Sequence, residues 1–175
     1  KIMSVDAAFK DTKTSDFVAI GIWSKSGSNV YLEDLVNERL DFVRTVEVIR
    51  NLKAKYPDVS MILIEDKANG SAIISTLQRE IMGIVPVEPL GNKESRAYAI
   101  QPFIMAGNVH LPRNAPWVEG YIDQMTRFPR GKNDDMVDMT SQALVRLKDF
   151  VANAPSPQQP KPAFNILQKP KSIYR

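Results

Sequence analysis

The chain has 175 residues with 43% hydrophobic and 25% charged side chains, which is the composition of a soluble globular domain with a real core. It contains no cysteine, so disulfides and cysteine-ligated zinc are excluded and a cytosolic setting fits, and no apolar run is long enough to span a bilayer. The net charge of +3, from 23 basic and 20 acidic residues, is too small to identify a polyanionic partner alone, so the placement of charge carries more than its sum.

A strand pattern begins at once at Ile2 and continues to Phe9, with Asp6 inside it. No initiator Met and no basic segment with an apolar stretch precedes it, which reads as a piece of a longer chain cut at a domain boundary, without a signal peptide. After a polar loop, Phe17 to Ser24 alternates apolar and small residues as a second strand. A turn over Lys25 to Asn29 leads to a third, Val30 to Leu35, completing an antiparallel meander. The period then changes: Phe42, Val46, Ile49, Leu52 and Tyr56 recur every three or four residues, which predicts an amphipathic helix from Asp41 to Tyr56, stopped by Pro57. Met61 to Ile64 is uniformly apolar and reads as a strand buried on both faces.

A helix carrying Ile73, Ile74, Leu77 and Ile81 follows, starting near Asn69 or Ser71, then a short strand from Ile84 to Val87. Asn92 is placed to cap a helix running to Ala106, with Gly107 as its terminator. Val109 to Pro112 reads as a short edge strand, and Pro116 suits the first position of a helix to about Arg127. The last helix spans Asp134 to Val151. The order β-β-β-α-β-α-β-α-β-α-α predicts an α/β fold: a mixed sheet, three antiparallel strands then alternating strands and helices, with helices on both faces. The domain is expected over residues 1–152. Residues 153–175, opened by Ala154-Pro155-Ser156-Pro157, form a proline-rich tail.

Three acidic sites stand out by context. Asp6 interrupts an apolar strand, Glu65-Asp66 ends the most apolar one, and Asp134-Asp135 with Asp138 opens the last helix. Each position makes a charge costly unless something pairs with it. Each also has a structural reading: a strand end, a strand meeting solvent, and helix capping. Phosphodiester hydrolysis would justify all three together. It needs an activated water and relief of charge on the leaving oxygen, which two divalent cations about 3.5–4 Å apart supply. Hard cations take oxygen ligands, so carboxylates must converge from rigid strand ends and a helix start.

Ser4 to Lys10 with Ser15 to Ile20, then Ile62-Leu63-Ile64-Glu65-Asp66-Lys67-Ala68-Asn69-Gly70, then Gly131-Lys132-Asn133-Asp134-Asp135-Met136-Val137-Asp138, resemble in order the three nuclease motifs of phage terminase large subunits. The resemblance covers roughly residues 2–150. It implies a ribonuclease H-like fold and magnesium- or manganese-dependent cleavage of double-stranded DNA during genome packaging. It implies Asp6, Glu65 and Asp135 as catalytic metal ligands and Asp16 as an auxiliary acidic position. Asp134, Asp135 and Asp138 all have ligand chemistry, and the sequence does not choose among them. The resemblance also implies an ATPase half before Lys1, portal and small terminase subunits as partners, and a place of work in the host cytoplasm at the procapsid. No GxxxxGK[ST] loop occurs here, so no ATP hydrolysis is expected of this chain.

Lys67, Lys93, Arg96, Arg127, Arg130 and Lys132 are candidates for phosphate contacts, three of them just before the acidic helix. His110 reads as structural, and Trp23 and Trp117 as core or groove aromatics. Other ribonuclease H-like enzymes, such as a Holliday-junction resolvase or transposase core, would use the same carboxylates. A catalytically silent DNA-binding module would keep the fold alone. A calcium loop at Asp11 to Asp16 fails the twelve-residue spacing.

Overall fold

The computed structural model describes residues 1–7, 17–67 and 69–152. Its elements are β1 (Ile2–Asp6), β2 (Phe17–Ser26), β3 (Asn29–Arg39), α1 (Phe42–Lys55), β4 (Met61–Glu65), α2 (Asn69–Leu77), β5 (Ile84–Val87), α3 (Lys93–Met105), β6 (Val109–His110), α4 (Val118–Arg127) and α5 (Asp135–Ala152). This is the predicted order throughout, and the differences lie at the ends of elements. β3 reaches Arg39 rather than Leu35, because its pairing with β2 continues to Phe17↔Arg39 and ladder bonds outlast the apolar alternation. β6 stops at His110, ahead of Pro112, which has no N–H to give a ladder. Pro116 lies in a turn before α4, where Val118 N–H donates to the Ala115 carbonyl. Asp134 stands just outside α5, and its carbonyl accepts the first N–H groups, those of Val137 and Asp138. The proline-rich tail, Asp16, the Asp11–Asp16 loop and the end of the first predicted strand at Phe9 lie outside the described residues.

Six strands form one sheet in the order β5-β4-β1-β2-β3-β6. β1, β2 and β3 are antiparallel neighbours, while β4 joins β1, β5 joins β4 and β6 joins β3 in parallel. Alternation along the central strands sends side chains to two cores. Met3, Val5, Ile62 and Ile64 pack with Val46, Ile49 and Leu52 of α1 and Ile73 and Leu77 of α2. Ile2, Leu63, Ala19 and Trp23 pack on the other face with Tyr121 of α4 and Met139, Ala143, Leu144 and Leu147 of α5. β4 is buried on both faces, which is why its sequence shows no alternation of polarity.

The capping chemistry matches the sequence. The Asp41 carboxylate accepts from Arg44 N–H at the start of α1, and the Asn92 side chain accepts from Ser95 N–H at the start of α3. Gly107, just after α3, has φ +77°, a conformation that costs glycine nothing. Trp23 is fully buried, and its indole N–H points at the Met139 sulfur. His110 stacks on Tyr31 with ring centroids 4.8 Å apart, in keeping with a structural histidine. Among the described residues, no helix is long and apolar enough to cross a membrane.

Candidate active site

β1 and β4 run parallel in the register Ser4↔Leu63 and Val5↔Ile64. One step further, Asp6 and Glu65 close the two strands side by side, on neighbours about 4.8 Å apart. Alternation puts Asp6 on the face of Ile2 and Ser4, and Glu65 on the face of Leu63, so both belong to the side covered by α5. α5 is fixed there by polar contacts. Ser4 Oγ donates to the Met139 carbonyl at 2.8 Å. Gln142 Nε2 is shared among Ser4 Oγ at 3.0 Å, the Leu63 carbonyl at 3.2 Å and the Val5 carbonyl at 3.3 Å. One turn back from Gln142 is Asp138, and Asp135 lies three residues before that on the same helix face.

The electrostatics record this convergence. Asp6 is nine-tenths buried, and its carboxyl is pushed well above the ordinary carboxylate range, first by loss of hydration and then by repulsion from Asp138, Asp135 and Glu65, with Lys93 opposing. Asp135 is also raised, by burial first and by Asp134 and Asp138. Asp6 thus feels carboxylates from β4 and α5, and negative charge is concentrated where β1, β4 and the start of α5 meet. Part of that charge is balanced by α3. Lys93 Nζ sits 2.8 Å from Asp134 and 2.6 Å from Asp138, and Arg96 Nη2 sits 2.6 Å from Asp138, whose side chain is only 6% exposed. Burial pulls the Lys93 ammonium down, but its bonds to Asp134 and Asp138 hold it well above the usual lysine value.

The other predicted residues divide by position. Lys67 pairs with Glu65 at 3.4 Å, beside the cluster. Asp66 turns away to accept from Ser71 Oγ in the first turn of α2. Arg127 pairs with Asp123 on the exposed face of α4, and Arg130 and Lys132 lie in the segment leading to α5. Lys93 and Arg96, predicted as phosphate contacts, are engaged with carboxylates. Among the described residues, no three acidic or histidine side chains stand close enough together to hold a metal ion as they are placed.

The profile of the terminase RNaseH-like domain matches residues 3–147. The chain belongs to that family. Solved structures agree on the fold. The large terminase nuclease from thermophilic phage G20c with bound zinc is similar at a TM-score of 0.65 and 16% identity, over 83% of this chain and 81% of that one. The human cytomegalovirus terminase nuclease domain is similar at 0.62 and 16%, over 87% and 86%. The fowlpox virus Holliday junction resolvase is similar at 0.54 and 16%, over 85% and 98%. The G20c nuclease is also known with cobalt and with magnesium, and the phage SPP1 nuclease with manganese. A comparison with curated proteins finds no match. The fold is thus the ribonuclease H-like α/β fold of the terminase family.

Within this terminase-family domain, sequence reasoning missed Gln142. Its only signal was the i,i+4 spacing from Asp138 along a helix that also carries Asp135. Its amide ties together the three elements that carry the acids. Gln142→Leu is expected to lower stability by about 1–3 kcal/mol, because the Val5 and Leu63 carbonyls lose a donor in a half-buried setting. Denaturant unfolding checks this, and an unchanged midpoint would mean the strap is not formed in solution.

Proposed function

We infer that this domain is a divalent-metal-dependent endonuclease that cuts double-stranded DNA during viral genome packaging. The observation that carries the reading is Asp6: a nearly buried carboxyl facing Asp138, Asp135 and Glu65 is costly as an anion, and cations bound beside it would offset that cost where a proton otherwise does. The donor set is all oxygen, which suits magnesium or manganese better than softer metals. Asp6, Glu65 and Asp135 would hold the ions, with Asp134 and Asp138 in reach from the same end of α5 and Asp16 as an auxiliary ligand. When bound, two such ions activate a water and relieve charge on the leaving oxygen. The chain's own groups do the rest. Strand ends and a helix start hold the carboxylates rigidly, Lys67, Lys93 and Arg96 contribute positive charge next to them, and Arg127, Arg130 and Lys132 meet the DNA backbone on its way in. In the packaging machine an ATPase domain, the portal and the small terminase subunit would be its partners, in the host cytoplasm at the procapsid. ATP hydrolysis is not expected of this chain.

The test is conversion of supercoiled plasmid. Nicked and linear products should form with magnesium or manganese and vanish with chelator; no cutting with either ion, or cutting that survives chelation, would overturn the reading. A four-way junction cut at least about tenfold faster than linear duplex would favour a resolvase activity on the same fold.

DNA binding should be electrostatic and indifferent to sequence, since no base-reading element stands out among the described residues. Replacing Arg127, Arg130 and Lys132 by alanine together should weaken calcium-supported binding equally for unrelated duplexes. It should also flatten the log–log salt dependence by about 0.9 for each phosphate that is no longer neutralised. A hundredfold preference between equal-length duplexes, worth roughly 3 kcal/mol, would mean base readout instead.

A further inference from the structure

A groove of about 500 Å³ opens beside the acidic cluster, between the β4–β5 edge of the sheet, α3 and α5. Its origin is topological. α5 lies mainly over β1 and β2 and reaches β4, so on its side of the sheet the outer strand β5 is only partly covered, while α2 packs on β4 and β5 from the opposite face. Glu65 and Asp138 line one end of the groove, and Leu63, Val85, Val87 and Val145 line its apolar interior. At the rim, between β5 and α3, Leu90 is 86% exposed, an apolar side chain held out in solvent next to the groove.

This arrangement fits one part of a nucleic acid. The outside of a duplex presents phosphates and sugars, which gain nothing from apolar walls and lose hydration against them. A base taken out of the stack presents two apolar faces, and proteins that extrude bases hold them between apolar or aromatic side chains. Apolar side chains such as leucine serve as wedges between base steps. The groove volume lies within the range of about 300–1,000 Å³ typical of small-ligand sites. It is continuous with the carboxylates, so a nucleotide whose phosphate is held by cations bound at the acidic cluster would reach it directly.

We propose that the groove receives one unstacked nucleotide next to the phosphate being cut, with Leu90 as the wedge that displaces it. The inference rests on the endonuclease reading and deepens it. Contact through apolar faces also tolerates any base, in keeping with cleavage that ignores sequence.

Unstacking is easiest at a mismatch, which gives the test. Linear duplexes identical except for one central mismatch, carrying 2-aminopurine there, are compared with fully paired ones. With magnesium or manganese, cutting beside the mismatch should exceed cutting at the paired position by about tenfold, the effect of lowering the unstacking cost by roughly 1.4 kcal/mol. With calcium, 2-aminopurine emission should change on binding. Ala99→Trp, which fills the groove from an exposed position on α3, and Leu90→Ala should bring both effects close to nothing while the melting temperature holds. Duplex cutting with no mismatch preference and no emission change would overturn the groove assignment and leave the nuclease reading standing. No metal-dependent cutting of any duplex would overturn both. Stabilisation of the groove by an added protein partner, with DNA behaviour unaffected by Ala99→Trp, would make it a protein-docking surface and also overturn the proposal.

Discussion

Asp6→Asn is expected to reduce metal-dependent DNA cleavage by at least about a thousandfold, since loss of a ligand removes several kcal/mol of charge stabilisation at roughly tenfold per 1.4 kcal/mol. The same change should make the metal-free protein more stable at neutral pH. Asp6 is nearly buried, and its folded carboxyl lies well above the ordinary value of 3.8, by desolvation and by Asp138, Asp135 and Glu65. The folded state therefore holds this proton more tightly than the unfolded chain. In chelator, the contribution is complete below about 3.8 and is lost as pH rises through the folded value, because the unfolded state then releases a proton that the folded state keeps. Asparagine keeps the volume and carries no charge, so its melting temperature should be flatter over that window and higher above it. Added magnesium should raise the melting temperature of the wild type far more than that of the variant, because binding to the folded state stabilises it by mass action. Plasmid cleavage, with thermal melts across pH in chelator and in magnesium, checks each part. Full cleavage by the variant would remove Asp6 from the site.

Gly70→Ala is expected to cost about 3 kcal/mol of stability, the upper part of the range for overpacking, and to slow cleavage on the order of a hundredfold. A Cβ on Gly70 would overlap the carbonyl oxygen of Glu65, a backbone atom that cannot swing aside as a side-chain tip can. The first turn of α2 is built against the last residue of β4, where Gly70 N–H donates to the Lys67 carbonyl at 2.9 Å and Ser71 reaches back to Asp66. Relief of the overlap must move either the helix or Glu65. The two consequences separate by assay: a denaturant midpoint reads the packing cost, and the magnesium concentration for half-maximal cutting reads the displacement of Glu65. Wild-type values for both would show that the turn relaxes without disturbing the strand end.

The element order was legible from the sequence because each element carries its own period. Val46, Ile49 and Leu52 recur at helical spacing, β4 is apolar without alternation, and Asp41 and Asn92 cap the helices they precede. The three acidic positions were legible for a local reason as well: a charge inside an apolar strand, at the end of another, and at the start of a helix is costly wherever the chain goes. A shared site for Asp6, Glu65 and Asp135 was an expectation from the motif order and the resemblance; the register and the further partners were not legible, because they depend on distances across elements. The tertiary structure decided that Asp6 and Glu65 end adjacent parallel strands, that Gln142 straps α5 to both, and that Lys93 and Arg96 turn to Asp134 and Asp138. It alone decided that β5, beyond α5, is only partly covered, leaving the groove beside Glu65. Periodicity and local cost are written in consecutive residues, whereas convergence follows from strand order and from where a helix crosses the sheet.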